Sequence, residues 1–135
     1  MTTAVDTNVL LDVLAEDSRF SSQSRAALSA CGRRGPLIAC GVVWAETTAA
    51  FADRCAGARA LVRLGVRLVP LDATAATAAG QAWRSYRAEG GTRSRVIADF
   101  VVGAHAAVHA DQLLTRDRGF RRLRFSGLTL VDPSC

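Results

Sequence analysis

The chain has 135 residues and no lysine; all 17 of its basic residues are arginine. That absence excludes P-loop NTPases, which need the Walker lysine for their phosphates, and phosphoacceptor receiver domains, which also hold aspartates at strand ends but depend on a lysine. No GxGxxG run is present to cradle a dinucleotide. The four cysteines, Cys31, Cys40, Cys55 and Cys135, contain no CxxC spacing, which argues against a zinc ribbon or a disulfide framework. No uncharged run approaches bilayer length; residues 35–45, ended by Glu46, are among the longest. The N-terminus has no basic n-region, and Asp6 interrupts what could have been an apolar signal segment. The expectation is a soluble cytoplasmic protein with free buried thiols. Aromatic residues make up only 6% of the chain. Trp44, Trp83 and Tyr86 therefore read as core or dimer-interface residues, with few rings left to stack bases.

Half of the residues are apolar, enough for one domain over residues 1–135 with a core of its own. The net charge of +5 is compatible with a polyanionic partner but does not identify one, and arginine in place of lysine also follows from GC-rich coding. Short apolar runs at residues 4–5, 37–40, 66–71, 112–115 and 128–131 read as strands. Segments of helical period lie between them, at residues 9–14, 19–31, 42–52, 58–64, 73–89 and 96–110, with a short helical piece near Phe120. Strands alternating with helices predict an α/β fold with a parallel sheet covered on both faces.

The stretch around which the rest is arranged is TTAVDTNVLLDVL, residues 2–14. It places Asp6 at the C-terminal end of a buried strand, where open α/β sheets build their sites, although Asp6 or Asn8 could equally cap the helix that follows. Asp117 follows a later strand in LLTRDRGF. Asp99 opens the most apolar helix, in RVIADFVVGAHAAVHA, and Glu46 stands among apolar residues in GVVWAETTAAF. Asp53, seven residues on from Glu46, shares its helical face as a fifth candidate. Asp72 reads as an N-cap, and Asp12, Asp17, Glu89 and Asp132 as solvated or turn residues. In a parallel sheet the ends of strands and the starts of returning helices lie on one edge, so Asp6, Glu46, Asp99 and Asp117 converge there. One carboxylate pair at about 4 Å costs roughly 4 kcal/mol at an effective dielectric of 20. Several such pairs rival a small domain's whole stability of about 5–15 kcal/mol. The cluster implies bound cations or raised pKa values, and its all-oxygen donor set favours Mg²⁺ or Mn²⁺ over zinc.

Asp6-Thr7-Asn8 after a short strand, Glu46 in the third helix, Asp99 in IADF and Thr115-Arg116-Asp117 resemble the PIN domain family. The likeness is strongest to the VapC-type toxin ribonucleases of bacterial toxin–antitoxin pairs, and it extends over essentially the whole chain. It implies a single PIN-like domain with a five-stranded parallel sheet and helices on both faces. It also implies Mg²⁺- or Mn²⁺-dependent hydrolysis of RNA phosphodiesters, a small antitoxin that blocks the site, and assembly as a homodimer or toxin–antitoxin hetero-oligomer. On that likeness Asp6, Glu46, Asp99 and Asp117 are the catalytic acids, Asp6 and Asp99 hold the main ion, and Asn8 and Thr115 orient them. Where some relatives carry a further acid just after the position of Asp117, this chain has Gly119.

Arg116, Arg118, Arg121, Arg122 and Arg124 form a basic cluster beside Asp117, and Arg93 and Arg95 precede Asp99. They read either as a clamp on the RNA backbone or as a docking surface for an acidic antitoxin segment. His105 and His109 are four residues apart, on a different helical face from Asp99, and read as core or interface residues rather than metal ligands. Two alternatives stand beside the toxin ribonuclease: a catalytically silent PIN-like module that binds RNA or protein, and a structure-specific DNA nuclease. Loss of an acid would mark the former, and all four acids are present. An added arch or DNA-binding segment would mark the latter, and the chain is short.

Overall fold

Five strands of only three residues each form the sheet, and the three central ones are buried at every position. In this computed structural model, residues 16–18, 93–97, 124 and 135 lie outside the description, as do the side chains of Arg121 and Arg122. Among the described residues the order is β1 (Thr3–Val5), α1 (Thr7–Leu14), α2 (Ser21–Arg34), β2 (Leu37–Ala39), α3 (Gly41–Thr48), α4 (Ala56–Arg63), β3 (Val66–Leu68), α5 (Ala73–Ala88), α6 (Ala98–His109), β4 (Gln112–Leu114), the single-turn α7 (Phe120–Leu123) and β5 (Thr129–Val131). All neighbours pair in parallel, in the order β3-β2-β1-β4-β5. The expected five-stranded parallel α/β fold is what the chain forms.

Because β2 and β3 lie to one side of β1 and β4 and β5 to the other, the winding reverses at β1. Right-handed crossovers then place α1 to α4 on one face of the sheet and α5 and α6 on the other. The central strands, covered on both faces, are buried at every position for that reason, and the two polar residues in them, Thr3 and Gln112, bond to each other at 2.8 Å. Val5, Leu10, Ile38, Val43, Leu61, Leu113 and Leu114 make the core. Burial of each such side chain contributes about 1.5–3 kcal/mol.

Two expected elements are shorter than their apolar patterns suggest, and β3 stops at Leu68 rather than at residue 71. The third helix ends at Thr48 rather than near residue 52. Thr47 and Thr48 turn their hydroxyls back onto the carbonyls of Val43 and Trp44, a local bond that competes with helical continuation. Helix α4 then crosses so closely that a Cβ on Gly57 would lie 2.9 Å from the Cα of Thr48. Asp53 consequently shares no helical face with Glu46. It sits in the exposed connection and accepts from the N–H groups of Cys55 and Ala56. Of the thiols, Cys31 and Cys40 are free and buried as expected, whereas Cys55 is exposed.

Helices α5 and α6 pack against each other as an antiparallel pair. At one end Asp72 caps α5 through the Ala75 N–H, at 2.9 Å, and its other oxygen lies 3.0 Å from His109 Nε2. His105 is 1% exposed and donates from Nε2 to the Val69 carbonyl at 2.8 Å. The histidines are thus structural, as the sequence suggests. At the other end Trp83 and Tyr86 stack on each other and meet Phe100 edge-on.

Burial holds the His105 imidazole below its ordinary range, and neighbouring His109 adds to the effect against the pull of the Val69 carbonyl. The unfolded chain therefore takes up a proton near the usual value of about 6.5, where the folded chain resists it. Stability is fully present above that pH and falls as the pH is lowered through the histidine range. Thermal unfolding followed from pH 7.5 to 5 is expected to report this loss. In His105→Gln, which keeps a donor for the Val69 carbonyl, this part of the pH dependence disappears; an unchanged slope in that variant refutes the assignment.

Candidate active site

The reversal at β1 opens a crevice beyond the C-terminal ends of β1 and β4, the place where doubly wound sheets bind their ligands. Asp6 follows β1 directly, and its backbone N–H donates to the Leu114 carbonyl at the end of β4, 3.0 Å away. Its side chain does two jobs. Oδ1 accepts from the Thr7 N–H at 2.8 Å and caps α1. Oδ2 accepts from Thr115 Oγ1 at 2.7 Å and from Asn8 Nδ2 at 3.3 Å. The capping and site readings of Asp6 are therefore not alternatives. Asn8 completes the link across the crevice, since its Oδ1 accepts from the Arg116 N–H at 3.1 Å.

Asp6 is only 9% exposed. Burial pushes its carboxyl above the usual carboxylate range; the Thr115 hydroxyl and Thr7 N–H oppose that, and the charges of Asp99 and Asp117 reinforce it. Asp6, Asp99 and Asp117 thus share one electrostatic neighbourhood, although Asp6 and Asp99 are 93 positions apart in the chain. The topology explains this. Helix α6 runs antiparallel to β4, so its first turn, which carries Asp99, returns to the edge where Asp6 and Asp117 end their strands. Asp117 is exposed, and its Oδ1 accepts from the Gly119 N–H at 2.8 Å.

Glu46 departs from its expected burial. It is exposed at the rim, and its Oε1 accepts from Thr7 Oγ1 at 3.0 Å. Its charge and that of Asp6 both act on Cys40, whose thiol is pushed upward first by burial and then by these two acids. A protonated Cys40 is no competitor for a cation or a nucleophile at this edge.

Asp12 is the residue sequence reasoning missed. Expected to be solvated, it is 5% exposed and receives both Arg116 Nε at 2.6 Å and Arg116 Nη2 at 3.0 Å. The Arg116 guanidinium also lies 4.0 Å over the ring of Phe20. Arg116 is therefore turned inward, away from the solvated surface on which the sequence suggests an RNA or antitoxin contact. Arg118 does face solvent, with 77% of its side chain exposed and its Nε 3.9 Å from Asp132. Thr115, Asp117, Arg118 and Asp132 border a hollow of about 20 Å³, room for about one water. Arg93 and Arg95 lie outside the described residues.

The PIN domain family model matches residues 3–126. The chain belongs to the PIN domain family. Solved structures with the same fold include VapBC2 from Rickettsia felis bound to a DNA fragment from its promoter, at TM-score 0.75 and 15% identity, with 98% of each chain covered. FitAcB from Neisseria gonorrhoeae is similar at TM-score 0.70 and 22% identity, again with 98% of each chain covered. VapC20 from Mycobacterium tuberculosis, a toxin that cleaves the sarcin–ricin loop, is similar at TM-score 0.60 and 17% identity, covering 94% of this chain and 98% of that one. No curated protein matches the chain in sequence. No helix among the described residues is long and apolar enough to cross a membrane.

PIN nucleases use divalent metal, and the donor set of this PIN domain fits a hard cation. Its candidate ligands are all oxygens, and the innermost carboxylate is buried against like charge. Among the described residues no three His, Cys, Asp or Glu side chains close on a single point.

Since folding raises the Asp6 carboxyl above its ordinary value of 3.8, the folded chain holds that proton more tightly than the unfolded chain. Asp6 then contributes stability at low pH that is lost as the pH rises through its folded value, and at neutral pH it is a net liability. Asparagine caps a helix as well as aspartate does. Asp6→Asn is therefore expected to melt at pH 7, in chelator, no lower than the parent protein; a midpoint several degrees lower would show that the charge itself supports the fold.

Proposed function

We propose that the chain is a divalent-metal-dependent endoribonuclease, the toxin of a bacterial toxin–antitoxin pair. The observation that carries the reading is a buried carboxylate, Asp6, held at the sheet's reversal point under the added repulsion of Asp99 and Asp117. Folding has set up a negative potential there with no arginine side chain bonded to Asp6 among the described contacts. Phosphodiester cleavage by a bound cation needs such a place.

Asp6 and Asp99 would hold the principal Mg²⁺ or Mn²⁺, directly or through water, with Glu46 and Asp117 completing the shell or serving a second ion. When bound, the metal supplies an activated water and neutralises charge developing on the phosphate. The protein's own groups do the positioning. Thr115 donates to Asp6 Oδ2 and so keeps its lone pairs aimed, while the Thr7 N–H fixes the other oxygen. Thr7 Oγ1 ties Glu46 to the same rim. Asp117 is steered by the Gly119 N–H. Arg118, exposed beside Asp117, is suited to meet a phosphate of the RNA backbone, a role also proposed for Arg93 and Arg95 on their charge alone. The same arginines suit an acidic antitoxin segment.

The complexes whose fold this chain shares, VapBC2 and FitAcB among them, support a small antitoxin as its partner, and the RNA-cleaving activity of VapC20 supports RNA as its substrate. The function would then be inhibition of translation in the cytoplasm, relieved by the antitoxin. A homodimer or toxin–antitoxin hetero-oligomer is the expected assembly.

Purified protein incubated with end-labelled RNA is expected to cut only with Mg²⁺ or Mn²⁺. Asp6→Asn and Asp99→Asn should lose on the order of 100-fold or more in rate, as removal of a metal-bearing carboxylate does, with circular dichroism unchanged. Thr115→Val should lose about 10- to 100-fold, the usual effect of removing a ligand's supporting hydrogen bond. Equal cutting by the carboxylate variants would trace the activity to a contaminant.

A further inference from the structure

Among the described residues of the basic cluster after β4, Arg116 is not accounted for by the surface reading. Arg116 is flanked by Thr115, which holds Asp6, and by Asp117, yet its guanidinium points the other way, into a pocket formed by α1 and the start of α2. Asp12 receives it through two bonds. Ser24 Oγ donates to Asp12 Oδ2 at 2.6 Å, fixing the acceptor from α2, and Ser21 Oγ donates to the Asp12 carbonyl at 2.6 Å. Phe20 covers the guanidinium plane at 4.0 Å. The backbone of the same arginine is pinned from the opposite side by Asn8 Oδ1. A residue anchored at both ends leaves its two neighbours little freedom.

We infer that Asp12 and Arg116 form a positioning pair: the half-buried bidentate bridge fixes the 115–117 segment so that Thr115 and Asp117 both present their oxygens to the Asp6 crevice. The inference rests on the proposed nuclease function for its consequence, though not for its geometry. Bidentate geometry matters because Nε and Nη2 engage separate oxygens of one carboxylate, a fork that lysine cannot reproduce. The bridge also has an electrostatic effect. It neutralises the arginine next to the acids with a carboxylate outside the cluster, so the negative potential at Asp6 is left for a cation.

The test uses the full chain carrying Arg116→Lys, with Asp12→Asn and the milder Ser24→Ala as second and third variants should the first fail to fold. Three quantities are read: kcat and KM for a labelled RNA, the Mn²⁺ dissociation constant by calorimetry, and the thermal midpoint in chelator. For Arg116→Lys the expected result is kcat down at least 10-fold, KM within about 2-fold and a Mn²⁺ dissociation constant raised about 10-fold, the rate being partly restored by excess Mn²⁺; displacements of about 1 Å are known to cost up to about 100-fold in rate. Ser24→Ala should move in the same direction by less.

A rise in KM that steepens with salt, at unchanged Mn²⁺ affinity, would make Arg116 an RNA contact and overturn the inference. A lower midpoint with intact kcat and Mn²⁺ affinity in the folded protein would make the bridge merely structural and overturn it as well. If the parent protein binds Mn²⁺ but cuts no RNA, the nuclease reading fails by itself, and the change in Mn²⁺ affinity still decides the positioning role. If the parent binds no Mn²⁺, both fall.

Discussion

A single buried carboxylate sets the terms for this domain. Asp6 lies where β1 ends and the sheet reverses its winding, so it is desolvated by the fold and repelled by Asp99 and Asp117. Each hydrogen bond to it, from Thr7, Asn8 and Thr115, offsets part of that cost. A charge-assisted bond of this kind contributes about 1.5–3 kcal/mol. The arrangement is therefore tolerable without a cation, and on the proposed nuclease reading a bound cation would relieve the repulsion that remains.

The same constraint explains why so many polar side chains are spent on so short a stretch of sheet edge. Thr115 is buried and serves Asp6, while its hydroxyl also accepts from the Asp117 N–H at 3.0 Å. Asn8 bridges from α1 to the segment after β4 with both ends of its amide, donating from Nδ2 to Thr115 Oγ1 and accepting at Oδ1 from the Arg116 N–H. Asp12, one turn further along α1, reaches the same segment from below. Asn8 and Asp12 are four residues apart and so lie on one face of α1. That helix face is a polar spine running from the crevice into the protein, and the apolar face with Val9, Leu10 and Val13 packs into the core beside it.

Much of this was legible before any coordinates. The short apolar runs, the reversals at Asp6 and Asp117, and the placement of Asp99 at a helix start are local signals, and local signals survive in a sequence. Three features were not legible in the apolar pattern. The Asp12–Arg116 bridge joins residues 104 apart, and only the pairing of β1 with β4 brings them together. Its one available hint was an acid inside the apolar run VLLDVL, the oddity that drew attention to Glu46. Glu46 itself is exposed because α3 presents it to the crevice mouth, where Thr7 meets it, and no pattern of apolar spacing distinguishes a rim from a core. Asp53 fell out of the cluster because Thr47 and Thr48 end α3 early, an effect of hydroxyl back-bonding and the close passage of α4.

Gly119 bears on how Asp117 is held at this edge. Its N–H donates to Asp117 Oδ1 at 2.8 Å, and a Cβ built on it would lie 2.9 Å from that same oxygen. Any side chain at this position, acidic or not, must therefore displace the Asp117 carboxylate from its present seat. An additional acid there would also bring a further like charge to an edge where Asp6 already resists ionisation. The Asp117 carboxylate is held here by that backbone N–H. With Thr115 on one side and Gly119 on the other, Asp117 keeps one orientation while remaining open to solvent, and with it to whatever cation or phosphate approaches the crevice.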